Sequence, residues 1–274
     1  MTVPDASPGA ATAPVIQTRA LTKTFKANGQ MVEAVCGLDL EVRPGELVAF
    51  LGPNGAGKST SLRMLTTLLA PTSGSAIVAG HDVVSDPAAV RRRIGYIGQG
   101  QGAGNSHRPI DELYTQGLAY GLPRTAARSR ADELIAALGL EACATRKVSA
   151  LSGGQRRRVD VALGLVHRPT ILFLDEPSTG LDPQNRANLA AQIRRLRDES
   201  GTTIFFTTHY MEEADQLADR VIVFDHGRVI ADDTPDNLKA GLAGDHQRLV
   251  PYRPTLDDVF LSLTGRSLRE GAAE

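Results

Sequence analysis

Residues 46–60 read Glu46-Leu47-Val48-Ala49-Phe50-Leu51-Gly52-Pro53-Asn54-Gly55-Ala56-Gly57-Lys58-Ser59-Thr60. An apolar run, a glycine-rich turn and a helical pattern over 59–69 succeed one another without a spacer. A run that does not alternate fits a strand buried on both faces of a parallel sheet. Three more runs of this kind stand at 94–98, 171–174 and 203–208, and helical periodicity occupies 110–120, 126–138, 153–166 and 183–198. Strand–helix alternation on this scale predicts an α/β domain. Upstream, 15–25 and 31–42 alternate loosely around Ala27-Asn28-Gly29, which predicts antiparallel strands with one solvated face.

The residues directly after each apolar run carry the chemistry. The four runs lead into 52–59, Gln99, Asp175-Glu176 and His209. Ligands of an open parallel sheet bind outside the carboxyl ends of its strands, so these four groups are expected to converge. Residues 52–59 match the phosphate-loop pattern, between strand and helix as that pattern requires. Glycines let the backbone N–H groups face a polyphosphate, and the helix start adds positive potential. Lys58 would reach the β- and γ-phosphates and Ser59 a Mg²⁺ ion. Thr60, next in line, belongs to the same nucleotide-binding set. A chance glycine-rich turn would lack these flanks.

Asp175 and Glu176 at the end of a buried strand form a like-charged pair. Unit charges ~4 Å apart interact by ~4 kcal/mol at an effective dielectric near 20, so a cation decides whether the pair is tolerated. Asp175 would hold Mg²⁺ and Glu176 would orient the attacking water. Taken alone the pair could equally start a loop or cap a helix; the phosphate loop upstream favours the metal. Leu151-Ser152-Gly153-Gly154-Gln155, at the start of a predicted helix, makes a second anion site from N–H groups and a hydroxyl. One chain has no use for two such sites unless the second serves the nucleotide of another copy.

Residues 52–59, 151–155, Asp175-Glu176 and His209, in this order and spacing, resemble the ATP-binding cassette of ABC transporters over roughly residues 15–239. The resemblance implies a P-loop NTPase core with a mostly parallel sheet, an antiparallel β subdomain and a helical signature subdomain at about 100–167. The nucleotide-binding domain would span 14–240, after a tail at 1–13 and before a short extension at 241–274. By this resemblance Gln99 senses the γ-phosphate and Mg²⁺ and contacts a membrane partner, and His209 hydrogen-bonds the γ-phosphate. Ser178-Thr179-Gly180-Leu181-Asp182 crosses the dimer interface, which adds Asp182 to the nucleotide site. Phe25 stands where the family stacks an aromatic on adenine, although it could instead pack in the β subdomain's core. ATP and Mg²⁺ are the implied cofactors, and a second copy and a multi-spanning permease the implied partners. Residues 254–265 resemble the ending of the daunorubicin/doxorubicin-resistance subfamily, which exports drugs, lipids or related hydrophobic cargo through a separate permease. An amphipathic helix packing Leu256, Val259, Phe260 and Leu263 on the domain is the plainer reading of that segment. The stretch before it is shorter than the β-rich segment expected of that subfamily.

Composition adds boundaries. A net charge of −1 over 274 residues gives no drive toward nucleic acid, and none is expected as a partner. Arginine far outnumbers lysine, which reads as codon habit; the triplets at 91–93 and 156–158 are expected to be solvated helix faces. Cys36 and Cys143 fit no metal or redox spacing and read as small buried residues. The segment 1–14 has neither a basic region nor an apolar stretch, so it reads as a disordered tail. No segment approaches the roughly 18–20 apolar residues of a membrane span. The resemblance then implies the cytoplasmic face of the cell membrane as the location, held there by a partner. A soluble ABC ATPase of an assembly machine is the alternative. Its DNA-maintenance cousins carry a long insertion between the phosphate loop and 151–155 that this chain lacks.

Overall fold

The computed structural model describes residues 13–27, 29–100, 102–243 and 255–264. The tail expected at 1–13 lies outside them except for Ala13, and so does most of the expected extension at 241–274. In chain order, β1 (Ile16–Ala27), β2 (Gln30–Val42) and β3 (Leu47–Leu51) lead to α1 (Lys58–Leu65). Strands β4 (Ser73–Val78) and β5 (His81–Asp82) lead to α2 (Pro87–Arg93). After β6 (Ile94–Ile97) come α3 (Pro109–Ala119), α4 (Arg124–Ala137) and α5 (Gly153–Leu165). Then β7 (Ile171–Asp175) precedes α6 (Pro183–Ser200), and β8 (Thr203–Thr208) precedes α7 (Met211–Leu217). Finally there are β9 (Arg220–Asp225), β10 (Arg228–Asp233), α8 (Pro235–Ala243) and α9 (Leu256–Thr264).

The strands form two sheets, ordered β2-β1-β4-β5 and β10-β9-β3-β8-β7-β6. The first is antiparallel, as the alternation upstream of β3 implies. In the second, β9, β3, β8, β7 and β6 run parallel and β10 turns back on β9. The larger sheet is covered on both faces. Leu47, Ala49 and Leu51 of β3 enter one core with the helical layer, whereas Val48 and Phe50 enter the other with β1, β2 and α1. Burial on both faces is why these strands show no alternation. Phe50 packs 4.4 Å from Phe224 and 5.5 Å from Phe205, ring centre to ring centre, in the second core.

Three expectations need correction. The 91–93 triplet is exposed, but Arg157 in the second triplet is only 8 % exposed. Helix α2 carries its triplet at a solvated end, whereas α5 lays Arg157 against the segments after β6 and β7, where its guanidinium meets Gly98 O, Asp175 O and Pro177 O. On α9, Leu256, Val259 and Phe260 are buried but Leu263 is 42 % exposed, at the last turn of the helix. Cys143 is buried as expected, whereas Cys36 is only half-buried.

Candidate active site

Because β3, β8, β7 and β6 are neighbours in the sheet, their carboxyl ends stand side by side. The phosphate loop leaves β3 with Gly52 N donating to Thr208 O of the adjoining strand at 3.2 Å. Two of its glycines are obligatory. A Cβ at Gly52 would fall 2.0 Å from Phe224 O. Gly57, at φ +105°, starts α1 and would place a Cβ 2.2 Å from Ala34 O. A cavity of about 390 Å³ opens here, lined by Asn54, Gly55, Gly57, Lys58, Ser59, Thr60, Gln99 and Glu176, with Ala34 at its side. Pro53 contributes its carbonyl, and Ala56 is buried with its carbonyl accepting from Gly227 N.

Lys58 is 4 % exposed and donates to Gly52 O at 2.7 Å and Pro53 O at 2.9 Å. Its Nζ lies 3.7 Å from Glu176 Oε1. Burial pulls the Lys58 ammonium below its ordinary pKa, while Glu176 and Asp175 oppose that shift. His209 Nδ1 lies 3.4 Å from Glu176 Oε2, an ion-pair distance without hydrogen-bond alignment. The Glu176 carboxyl is held below its ordinary value, first by His209 and then, against burial, by Lys58. Glu176 also accepts from Thr179 Oγ1 at 3.1 Å, and its backbone sits in the left-handed region at φ +47°.

Thr207 organises the acidic pair. It is fully buried, donates to Asp175 Oδ1 at 2.7 Å and accepts from Glu176 N at 2.9 Å. Ser59 Oγ donates to the same Asp175 oxygen at 2.8 Å, and Gln99 Nε2 lies 3.4 Å from Ser59 Oγ. Sequence reasoning did not single out Thr207; two polar residues following the apolar centre of β8 are its signal. It also missed Glu213, which accepts from Thr208 Oγ1 and whose carboxyl burial pushes above its ordinary pKa.

Residues 152–155 stand apart from this cavity. Ser152 and Gln155 form a reciprocal cap at the start of α5, Ser152 Oγ accepting from Gln155 N and Gln155 Oε1 from Ser152 N. Gly153 and Gly154 supply the first helical turn. Asp182 caps α6 by accepting from Asn185 N at 2.9 Å. Phe25 does not pack in the β core: it is 39 % exposed on β1, with Lys23 Nζ 5.3 Å from its ring centre. Among the described residues no group of three or more His, Cys, Asp and Glu side chains could hold a metal by itself. No described helix is long and apolar enough to cross a membrane.

The arrangement suits polyphosphate binding and attack by an activated water, and comparison with known proteins agrees. A family model described as ABC transporter matches residues 35–179. The daunorubicin/doxorubicin resistance ATP-binding protein of Streptomyces peucetius is 48 % identical over 234 residues, 85 % of this chain and 69 % of that protein. The doxorubicin resistance ATP-binding protein of Mycobacterium tuberculosis is 43 % identical over 251 residues, 90 % of this chain and 74 % of the relative. Among solved structures, the ATP-binding cassette MJ0796, a dimer in a post-hydrolysis state bound to ADP and Pi, superposes with a TM-score of 0.72. It is 26 % identical, and the match covers 80 % of this chain and 98 % of that one. The chain belongs to the ABC transporter family, as an ATP-binding protein of the daunorubicin/doxorubicin-resistance type.

Proposed function

We propose that this chain is the ATP-hydrolysing subunit of an exporter, that it works as a pair of identical copies, and that it moves drug-like or hydrophobic cargo through a separate permease. The observation that carries this reading is the meeting of Lys58, Ser59, Gln99, Asp175, Glu176 and His209 at four adjacent strand ends, with the 152–155 anion site turned to other use. Likeness to resistance proteins over most of the chain favours a transporter over a soluble assembly ATPase. The permease would hold the subunit at the cytoplasmic face of the membrane.

Residues 52–60 wrap the phosphates of one ATP, and Phe25 supplies a face for the adenine. Ser152, Gly153, Gly154 and Gln155 of the second copy close over the γ-phosphate, with Asp182 near the joint. Glu176, ionised at neutral pH, orients the attacking water and takes its proton. His209 holds the γ-phosphate and keeps Glu176 charged. Mg²⁺ fits the oxygens present, Ser59 Oγ and Asp175 Oδ1 at 2.8 Å from each other with the Gln99 amide beside Ser59. Such an ion typically needs one or two protein oxygens besides phosphate and water. When bound it supplies charge neutralisation on the phosphates.

Magnitudes agree with an ATP-driven closure. Moving an equilibrium from 1:99 to 99:1 takes about 5.5 kcal/mol of differential binding. Charge-assisted hydrogen bonds contribute about 1.5–3 kcal/mol each, so a few γ-phosphate contacts per site suffice. Losing the γ-phosphate removes them and reopens the pair.

The test is isolation of the Glu176→Gln protein with ATP from detergent-solubilised host membranes. A multi-spanning protein that co-purifies with a trapped, ATP-loaded dimer is the expected result. Recovery with soluble partners alone would overturn the transporter reading, and wild-type turnover in this variant would remove Glu176 from its role.

A further inference from the structure

Helix α5 grips the chain on both sides of Gln99 and on both sides of Glu176. Arg157 Nη1 donates to Gly98 O at 2.8 Å, directly before Gln99. The same guanidinium donates through Nε to Pro177 O at 2.8 Å and through Nη2 to Asp175 O at 3.2 Å, the residues flanking Glu176. One turn further along, Asp160 accepts from Gly102 N and Ala103 N, each at 3.0 Å, beyond Gln99. Arg157 Nη1 and Asp160 Oδ2 are 4.0 Å apart, and both residues are buried. The helix that makes these bonds begins at Gly153, next to the Ser152 cap.

We propose that Arg157 and Asp160 are positioning residues that set where Gln99 and Glu176 stand, and so tie the site to the orientation of the signature helix. This rests on Gln99 and Glu176 acting at the ATP site. The bonds span about 10 Å of helix from its first turn, a distance over which an α-helix behaves as a stiff rod. A displacement of the α5 start by the second nucleotide therefore shifts the backbone at 98, 102–103, 175 and 177 together. A planar guanidinium fork reaches three carbonyls at once; a lysine ammonium carries the same charge but lacks the fork. A purely architectural role would have both side chains stabilise the fold and leave the chemistry of folded molecules unchanged. The geometry argues against that, since every partner is main chain within four residues of Gln99 or directly beside Glu176.

Arg157→Lys, Asp160→Asn, the double variant and Gln99→Ala would be compared with the wild type for thermal midpoint, ATP affinity, kcat and the Mg²⁺ concentration at half-maximal rate. In Arg157→Lys and Asp160→Asn, kcat should fall roughly 10- to 100-fold with ATP affinity within about twofold, as for a small misplacement of reacting groups. The Mg²⁺ requirement should rise as in Gln99→Ala, and the double variant should be no worse than the worse single one. A lowered thermal midpoint with kcat per folded molecule intact would make the pair architectural and overturn the proposal. Losses that multiply in the double variant would overturn it as well, because the two groups would then act separately. If Gln99→Ala keeps the wild-type rate and Mg²⁺ dependence, the reading of Gln99 fails and takes the proposal with it. Loss in Gln99→Ala beside normal kcat in Arg157→Lys and Asp160→Asn would overturn the proposal alone.

Discussion

Lys58 Nζ stands 3.7 Å from Glu176 Oε1, with the two side chains 4 % and 11 % exposed. A lysine so buried needs a counter-charge, and the carboxylate that would activate water supplies it. A polyphosphate brings the same sign of charge to the same ammonium, so nucleotide binding and the freeing of Glu176 are linked. Lys58→Ala should weaken ATP binding by roughly 10- to 100-fold, the worth of one charge-assisted hydrogen bond. Titration calorimetry with ATP checks this; an unchanged affinity would remove Lys58 from the site.

The acid side of the pH profile should not report Glu176. His209 and then Lys58 hold its folded pKa below the ordinary carboxylate value. Its contribution to stability is therefore complete above the unfolded pKa and is lost only as pH falls through the depressed folded value. Between about pH 6 and 8 the carboxylate stays ionised. In His209→Ala its titration should move upward, which carboxyl-carbon NMR would track; no movement would mean the 3.4 Å approach has no electrostatic effect.

Phe25 is half-exposed, so its loss should cost the fold little and the ligand more. Phe25→Ala should reduce ATP affinity several-fold, consistent with about 0.5–1.5 kcal/mol for one aromatic stacking contact. GTP affinity should fall in parallel, because stacking does not read the base edge. A fluorescent-nucleotide titration that leaves Phe25→Ala at wild-type affinity rejects the contact.

The proposed shared site can be damaged on the second copy's side alone at Gly153. A Cβ there would meet only Leu181 Cδ2, at 3.8 Å, so the fold accepts a side chain. An aspartate at this position suits the helix start but repels a γ-phosphate. Gly153→Asp should bind ATP as the wild type does, stay monomeric on size exclusion and lose at least about tenfold in turnover, one charge-assisted bond's worth. Normal turnover would refute the shared-site arrangement.

The central sheet and the strand-end convergence were legible because burial on both faces removes alternation, leaving runs that stand out. Val221 to Phe224 of β9 form an equally apolar run that the same logic would have found. Arg157 was not legible in that way. Its neighbours Arg156 and Arg158 make the triplet look solvated, and only the carbonyls that Arg157 meets across the fold show that this member points inward. Thr207 was hidden for a related reason: a β-branched residue in a strand needs no functional explanation until its hydroxyl is seen to bridge Asp175 and Glu176.

The left-handed backbone at Glu176 sets chemistry against economy of folding. At φ +47° an L side chain costs about 1–2 kcal/mol that glycine avoids. Comparing Glu176→Ala with Glu176→Gly isolates that cost, since both lack the carboxylate. The glycine variant should melt no lower than the alanine one, reversing the order usual in helices and strands. A protein engineer optimising melting temperature alone would thus be led to remove the side chain to which the proposed mechanism gives the attacking water. On the proposed mechanism, function rather than stability determines the residue at this turn.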